Sequence, residues 1–169
     1  SGSTLDGADL TSAILLKTLL VGSSLQRADL SKAIMNRADL RGANLSDAIL
    51  VKTELPRANL AEAVLARAIL EKADFGRAIL LGADLSGADL HSADLSRADL
   101  RGATFGDANL ETTDFHLADL RGADLSQAVG LQAEQLERTC GDESTALPDG
   151  LALPAAWPCA SREDGDLED

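Results

Sequence analysis

Residues 83–102 read ADLSGADLHSADLSRADLRG, and the rest of the chain repeats that pattern in both directions. From Leu5 to Leu125 every fifth residue is large and apolar: 25 positions, with Leu at 21, Phe at 75, 105 and 115, and Met at 35. Ala stands two residues earlier in 20 of the 25, the exceptions being Ser3, Thr18, Ser23, Thr53 and Thr113. The slot between is usually Asp or Asn, as in Ala88-Asp89-Leu90. An internal repeat of this density outranks any other signal in a sequence.

A helix turns about 100° per residue, so leucines five apart would smear around its surface. A straight strand has a period of two, and an odd spacing throws alternate leucines to opposite faces. A chain that turns a corner every five residues can aim each leucine at one axis. The small Ala then also points inward, where a larger side chain would crowd its neighbours. The slot two after each Leu holds Lys17, Arg37, Arg57, Arg77 and Arg97 in one ladder of spacing 20. Lys32, Lys52 and Lys72 form a second, and Gly22, Gly42, Gly82, Gly102 and Gly122 a third, read as one corner where a small residue eases the turn. Spacing 20 favours four sides. Some six coils at about 4.8 Å each give a rod on the order of 30 Å long.

The run A(D/N)LXX resembles the pentapeptide-repeat family over residues 3 to 129. The resemblance implies an all-β, right-handed quadrilateral β-helix of about six coils with Leu or Phe and Ala stacked inside. Known functions in that family are few and divergent. Some members imitate duplex DNA and occupy the DNA groove of a type II topoisomerase such as gyrase.

Net charge at pH 7 is −13, most of it C-terminal. Residues 1–130 hold 13 Lys/Arg and 18 Asp/Glu, and residues 131–169 hold 2 and 10. Residues 1–80, with 10 basic and 9 acidic groups, are near neutral. This field disfavours direct nucleic-acid binding. There is no apolar run of the length a membrane span requires.

Outward slots of the first coils are apolar: Ile14, Leu16, Leu19, Val21 and Ile34, then Ile49, Val51 and Ile69. Contiguous apolar surface marks an interaction site, whereas single exposed side chains need no explanation. These eight residues form the candidate interaction patch. Nothing before Leu5 reads as a cap, so either residues precede it or this end meets another molecule.

The repeat stops at Gly130. Residues 131–139 (LQAEQLERT) are helix formers, and Leu147-Pro148 and Leu153-Pro154 end any long helix. Residues 130–159 are expected to be a short α-helical and loop cap, with Leu131, Leu136, Leu147, Leu151 and Trp157 plugging the rod. Residues 160–169 are expected to be a disordered acidic tail. Cys140 and Cys159 are the candidate disulfide, closing a loop that chain entropy values at roughly 3 kcal/mol. A disulfide would favour a periplasm or a thylakoid-type lumen; free thiols would favour the cytoplasm. Family members of photosynthetic membranes are similar in having a helical C-terminal cap.

The sequence offers no catalytic, cofactor or metal residues. The aspartates recur because the repeat recurs, and His91 and His116 fall on different faces. The basic ladder from Lys17 to Arg97 is expected to interleave with the acidic or amide residues Asp39, Asn59 and Asp99 and the flanking Glu54, Asp74 and Asp94 in a surface lattice; an anion-binding groove is the alternative. The chain therefore reads as a non-enzymatic scaffold presenting a flat face to a protein partner, with a homodimer through its N-terminal coils as a further option. DNA mimicry toward gyrase is the alternative.

Overall fold

The computed structural model describes residues 2–159; the tail expected at 160–169 lies outside them. The chain is a right-handed quadrilateral β-helix whose coils pair in parallel with a spacing of 20 residues. Four ladders run its length. Face 1 carries Thr4, Ser24, Asn44, Val64, Asp84, Thr104 and Asp124; face 2 carries Asp9, Asp29, Ile49, Ile69, Asp89, Asn109 and Val129. Face 3 carries Ile14, Ile34, Glu54, Asp74, Asp94 and Asp114, and face 4 carries Leu19, Asp39, Asn59, Ile79, Asp99 and Asp119.

One pentapeptide, Asn44 to Ala48, explains the architecture through its five N–H groups. Asn44 donates to the Ser23 carbonyl one coil back, 2.9 Å away, and Leu45 to the Val64 carbonyl one coil on, at 2.7 Å. Asp47 donates to Ala66 at 3.0 Å, and Ala48 closes the turn on Leu45 at 3.1 Å. That leaves the Ser46 N–H without a backbone acceptor, and the Asn44 side-chain oxygen accepts it at 3.0 Å. The same bond recurs from Thr11 to Asp9, Ser96 to Asp94 and Ser126 to Asp124. Asp and Asn fill the slot because their short side chains reach a backbone N–H two residues on. Glu54 is the one Glu there, and Pro56 two residues later has no N–H to offer.

Every corner from residue 12 to residue 122 turns through a residue in the left-handed region. Gly22, Gly42 and Gly82 have φ of 61°, 61° and 63°. Lys17, Arg37, Lys52 and Glu62, at 54°, 59°, 56° and 59°, adopt the same conformation. A negative φ followed by a positive one is the sign pattern of a type II turn, which favours glycine in its second position. The glycine column expected to mark one special corner is thus a local choice; all four corners bend alike, and non-glycine residues accept the strain where their side chains project outward.

Inside, the Leu-slot residues from Leu25 to Leu125 are at most 1% exposed, while Leu5, Leu10 and Leu15 of the first coil are only partly buried. At the two fully buried Thr in the inward Ala slot the hydroxyl finds a carbonyl: Thr53 Oγ1 donates to Leu30 O at 2.7 Å and Thr113 Oγ1 to Leu90 O at 2.8 Å. A buried hydroxyl without such a partner would destabilise the core.

At Gly130 (φ 77°) the chain leaves the ladder so close to the Glu111 backbone that a Cβ would sit 3.1 Å from Glu111 N. Of the helix formers at 131–139, only Ala133–Leu136 become a helix, α1. Gln135 stitches α1 to the sixth coil, its Nε2 donating to Leu110 O at 2.9 Å and Thr113 O at 2.8 Å. The ladders then resume, Cys140 bridging to Asp119 and Ala146 to Asp124, so much of this segment is a degenerate further coil. Leu131 and Leu136 are buried, and Leu147, Leu151 and Trp157 pack on the core. Trp157 lies against Gly141, where any Cβ would strike its ring, and its Nε1 donates to Thr139 O at 3.1 Å.

Candidate interaction surface

Replacing the capping Asp or Asn by an apolar residue forfeits the bond to the turn N–H. This happens at Ile14, Leu19, Ile34, Ile49, Val64, Ile69 and Ile79, and at no face position from Asp84 to Asp124. β-branched side chains suit a strand-like wall, but that preference applies equally to both halves of the rod. The apolar walls therefore belong to the N-terminal half for a reason other than the fold.

The eight patch residues separate into two groups. Ile14 and Ile34 are neighbours on face 3, and Ile49 and Ile69 are neighbours on face 2. Val51 sits in the turn joining those faces, so these five wrap one corner. Leu16, Leu19 and Val21 run instead around the first coil, through the next corner and face 4. Exposure is highest in that coil: Ile14 72%, Leu19 68% and Leu16 53%. Ile69 is 41% exposed, and Val51, Ile34 and Ile49 are half-buried.

Charge is segregated around the rod in a way a linear count hides. Lys32, Lys52 and Lys72 line the corner between faces 2 and 3; Lys17, Arg37, Arg57, Arg77 and Arg97 line the corner between faces 3 and 4. Eight of the chain's 15 Lys and Arg residues thus frame face 3. The centre of that face changes along the axis, from Ile14 and Ile34 to the carboxylates of Glu54, Asp74, Asp94 and Asp114.

The carboxylates expected to serve the basic ladder are partly engaged elsewhere. Asp39 is held bidentately by Arg41 at 2.8 and 2.7 Å, and Asp99 by Arg101 at the same distances. Two residues apart across a turn, such partners meet with little chain to order, whereas the ladder side chains at Lys17 and Arg97 project from a different corner. The Arg41 guanidinium holds the Asp39 carboxyl below the usual range, and Arg67 does the same for Asp47, one coil away at 2.8 Å. Lys72 pairs with Glu71 at 2.6 Å. These exposed pairs contribute little individually.

Cys140 and Cys159 come together, with Cα atoms 5.4 Å apart and sulfurs at bonding separation. His91 Nδ1 stands 3.6 Å from Glu111, and His116 lies at the next corner. A shallow cleft of about 360 Å³ lies between the sixth coil and α1, lined by residues including His116, Glu134 and Arg138. Among the described residues no three or more His, Cys, Asp or Glu side chains are grouped to hold a metal, and no helix is long and apolar enough to cross a membrane.

A family model for pentapeptide repeats matches residues 23–60, 58–97 and 93–129, in eight copies. Among solved structures, the chain is similar to alr5209, a pentapeptide repeat protein from Nostoc PCC 7120, at 26% identity over 76% of this chain and 77% of that one, with a TM-score of 0.44. It is similar to HetL, a pentapeptide repeat protein involved in heterocyst differentiation regulation from the cyanobacterium Nostoc sp. strain PCC 7120, at 31% identity over 88% and 86%, with a TM-score of 0.27. A trypsin-treated form of QnrB1, a plasmid-mediated fluoroquinolone resistance protein, aligns at 19% identity over 90% and 77%, with a TM-score of 0.50, a likeness of fold alone. A comparison with curated proteins returned no match.

Proposed function

The chain belongs to the pentapeptide-repeat family, and from that premise we propose that it is a non-enzymatic interaction scaffold, a stiff rod that presents a side wall to a protein partner. In this reading residues 3–129 are the rod and residues 130–159 close its C-terminal end. The observation that carries the proposal is the exchange of turn-capping Asp or Asn for apolar residues at seven face positions before residue 84 and at none from Asp84 to Asp124; Val129, at the rod's end, stands apart from them. Ile14, Ile34, Ile49, Val51 and Ile69 then form one apolar strip around a corner. Replacing Ile49 and Ile69 together by Asp restores the turn-capping chemistry, so the rod should stay folded by circular dichroism. Partner binding or self-association, read by light scattering and pull-down, should fall at least tenfold. Association that survives in the folded variant rules this strip out.

A second reading, DNA mimicry toward gyrase, draws on one feature. The fifth coil carries an aspartate on every face: Asp84, Asp89, Asp94 and Asp99. The cations framing face 3 and the Arg101 clamp on Asp99 weigh against it. Gyrase supercoiling unaffected by a large excess of the protein would dispose of this reading. The compartment follows from the cysteines: a Cys140–Cys159 disulfide would assign the protein to a periplasm or lumen, where such bonds persist.

A further inference from the structure

We infer that face 3 in the first two coils, with the Lys52 edge of the third, docks an acidic, amphipathic segment of a partner protein, with apolar side chains on Ile14 and Ile34 and carboxylates on Lys17, Lys32, Arg37 and Lys52. The inference rests on the scaffold reading and names the chemistry of its partner. Ile14 is 72% exposed and Ile34, its bridge partner, half-buried beside it. Within its own coil Ile34 lies between Lys32 and Arg37, one at each edge of the face; Lys17 and Lys52 continue those edges into the adjacent coils. All four cations are exposed, and none makes an ion pair among the described residues. An apolar centre with basic margins calls for the converse: an apolar stripe with acidic margins.

Further along, the same column selects a polypeptide over other polyanions. Beyond Ile34 the centre of face 3 becomes Glu54, Asp74, Asp94 and Asp114. A phospholipid surface or a nucleic-acid backbone laid on the basic margins would bring phosphates against that acidic column and be repelled. A polypeptide can change its side chains at the same point. Successive coils are about 4.8 Å apart and successive helical turns about 5.4 Å, so an acidic helix along the rod axis stays in register for two or three coils.

The test uses the full chain and a labelled 21-residue synthetic helix bearing one leucine stripe flanked by glutamates, read by fluorescence anisotropy. The same helix with lysine for glutamate is the control. Binding of the glutamate peptide should weaken with salt, and Lys32→Glu with Lys52→Glu should reduce it at least tenfold. Glu62 occupies the equivalent corner slot at φ 59°, so glutamate fits this backbone. Ile34→Asp should reduce binding similarly. No binding of the glutamate peptide, or equal binding of the lysine peptide, overturns the inference. Displacement by phosphatidylserine vesicles or duplex DNA overturns it in favour of a lipid or nucleic-acid partner. Loss on Ile34→Asp without loss on the lysine reversals overturns the acidic partner while leaving the apolar scaffold surface standing.

Discussion

The carboxylate of Asp124 receives the Ser126 N–H at 3.0 Å, and hydrogen bonding to Ser126 holds its pKa below the usual range. A group whose folded pKa is lowered stabilises the fold above the ordinary carboxylate pKa, near pH 4, and loses that contribution as pH falls through the folded value. Asn44 makes the same bond without a charge. Asp124→Asn should therefore keep the turn bond while removing this residue's share of acid sensitivity below about pH 4. Asp124→Ala should lose roughly 0.5–1 kcal/mol at neutral pH, because the position is exposed and water replaces part of the bond. Urea titrations of the three proteins at neutral and acid pH separate the two effects. Equal stability of the Ala and Asn variants would show that the repeated Asp does not cap the turn. The signal for this role was legible in the sequence. Asp and Asn outnumber Glu in the slot, and the one Glu, Glu54, precedes Pro56, the residue that needs no cap. Periodicity alone showed only that the slot faces outward.

Among the elements, the C-terminal segment departs most from what the sequence suggested. A nine-residue stretch rich in helix formers yields only the four-residue α1, because a longer helix could not return the chain to the ladder where Cys140 meets Asp119. Tertiary pairing overrides propensity here. The core, by contrast, was legible residue by residue, since one slot pattern governs all four faces. The framing of face 3 was not, because successive cations of each row are 20 residues apart in sequence and line up along an edge only when the coil closes. We propose that the Cys140–Cys159 bond fixes the return of the segment and so holds Trp157 on Gly141. Protein from its native host should resist alkylation at both cysteines until reduced, by intact mass. Reduction should then loosen the Trp157 ring and shift its emission to longer wavelength. Free labelling of both thiols before reduction would place the protein among cytoplasmic repeat proteins and leave packing alone to hold the segment.

For the whole molecule, the repeat makes stability and surface separable. Every backbone N–H in a pentapeptide such as Asn44 to Ala48 is satisfied by the same rule, and every face buries the same Leu and Ala. A solenoid of this kind is stabilised by nearest-neighbour stacking, so the sum changes little when one unit is removed. Deleting the five residues 83–87 should leave the core pattern continuous and the rod folded. Downstream of the cut, however, each residue moves to the neighbouring face, so Asp94 and Asp114 no longer continue the face that carries Ile14 and Ile34. Deleting only residue 83 instead throws every later leucine out of its slot and should unfold the C-terminal half. Circular dichroism melts distinguish the two: a modest change for the five-residue deletion and loss of cooperative unfolding for the single one. Because the docking residues all precede the cut, the five-residue deletion should also retain the acidic peptide. If it binds no longer, the acidic column of the later coils takes part in recognition, and the surface is longer than the apolar strip.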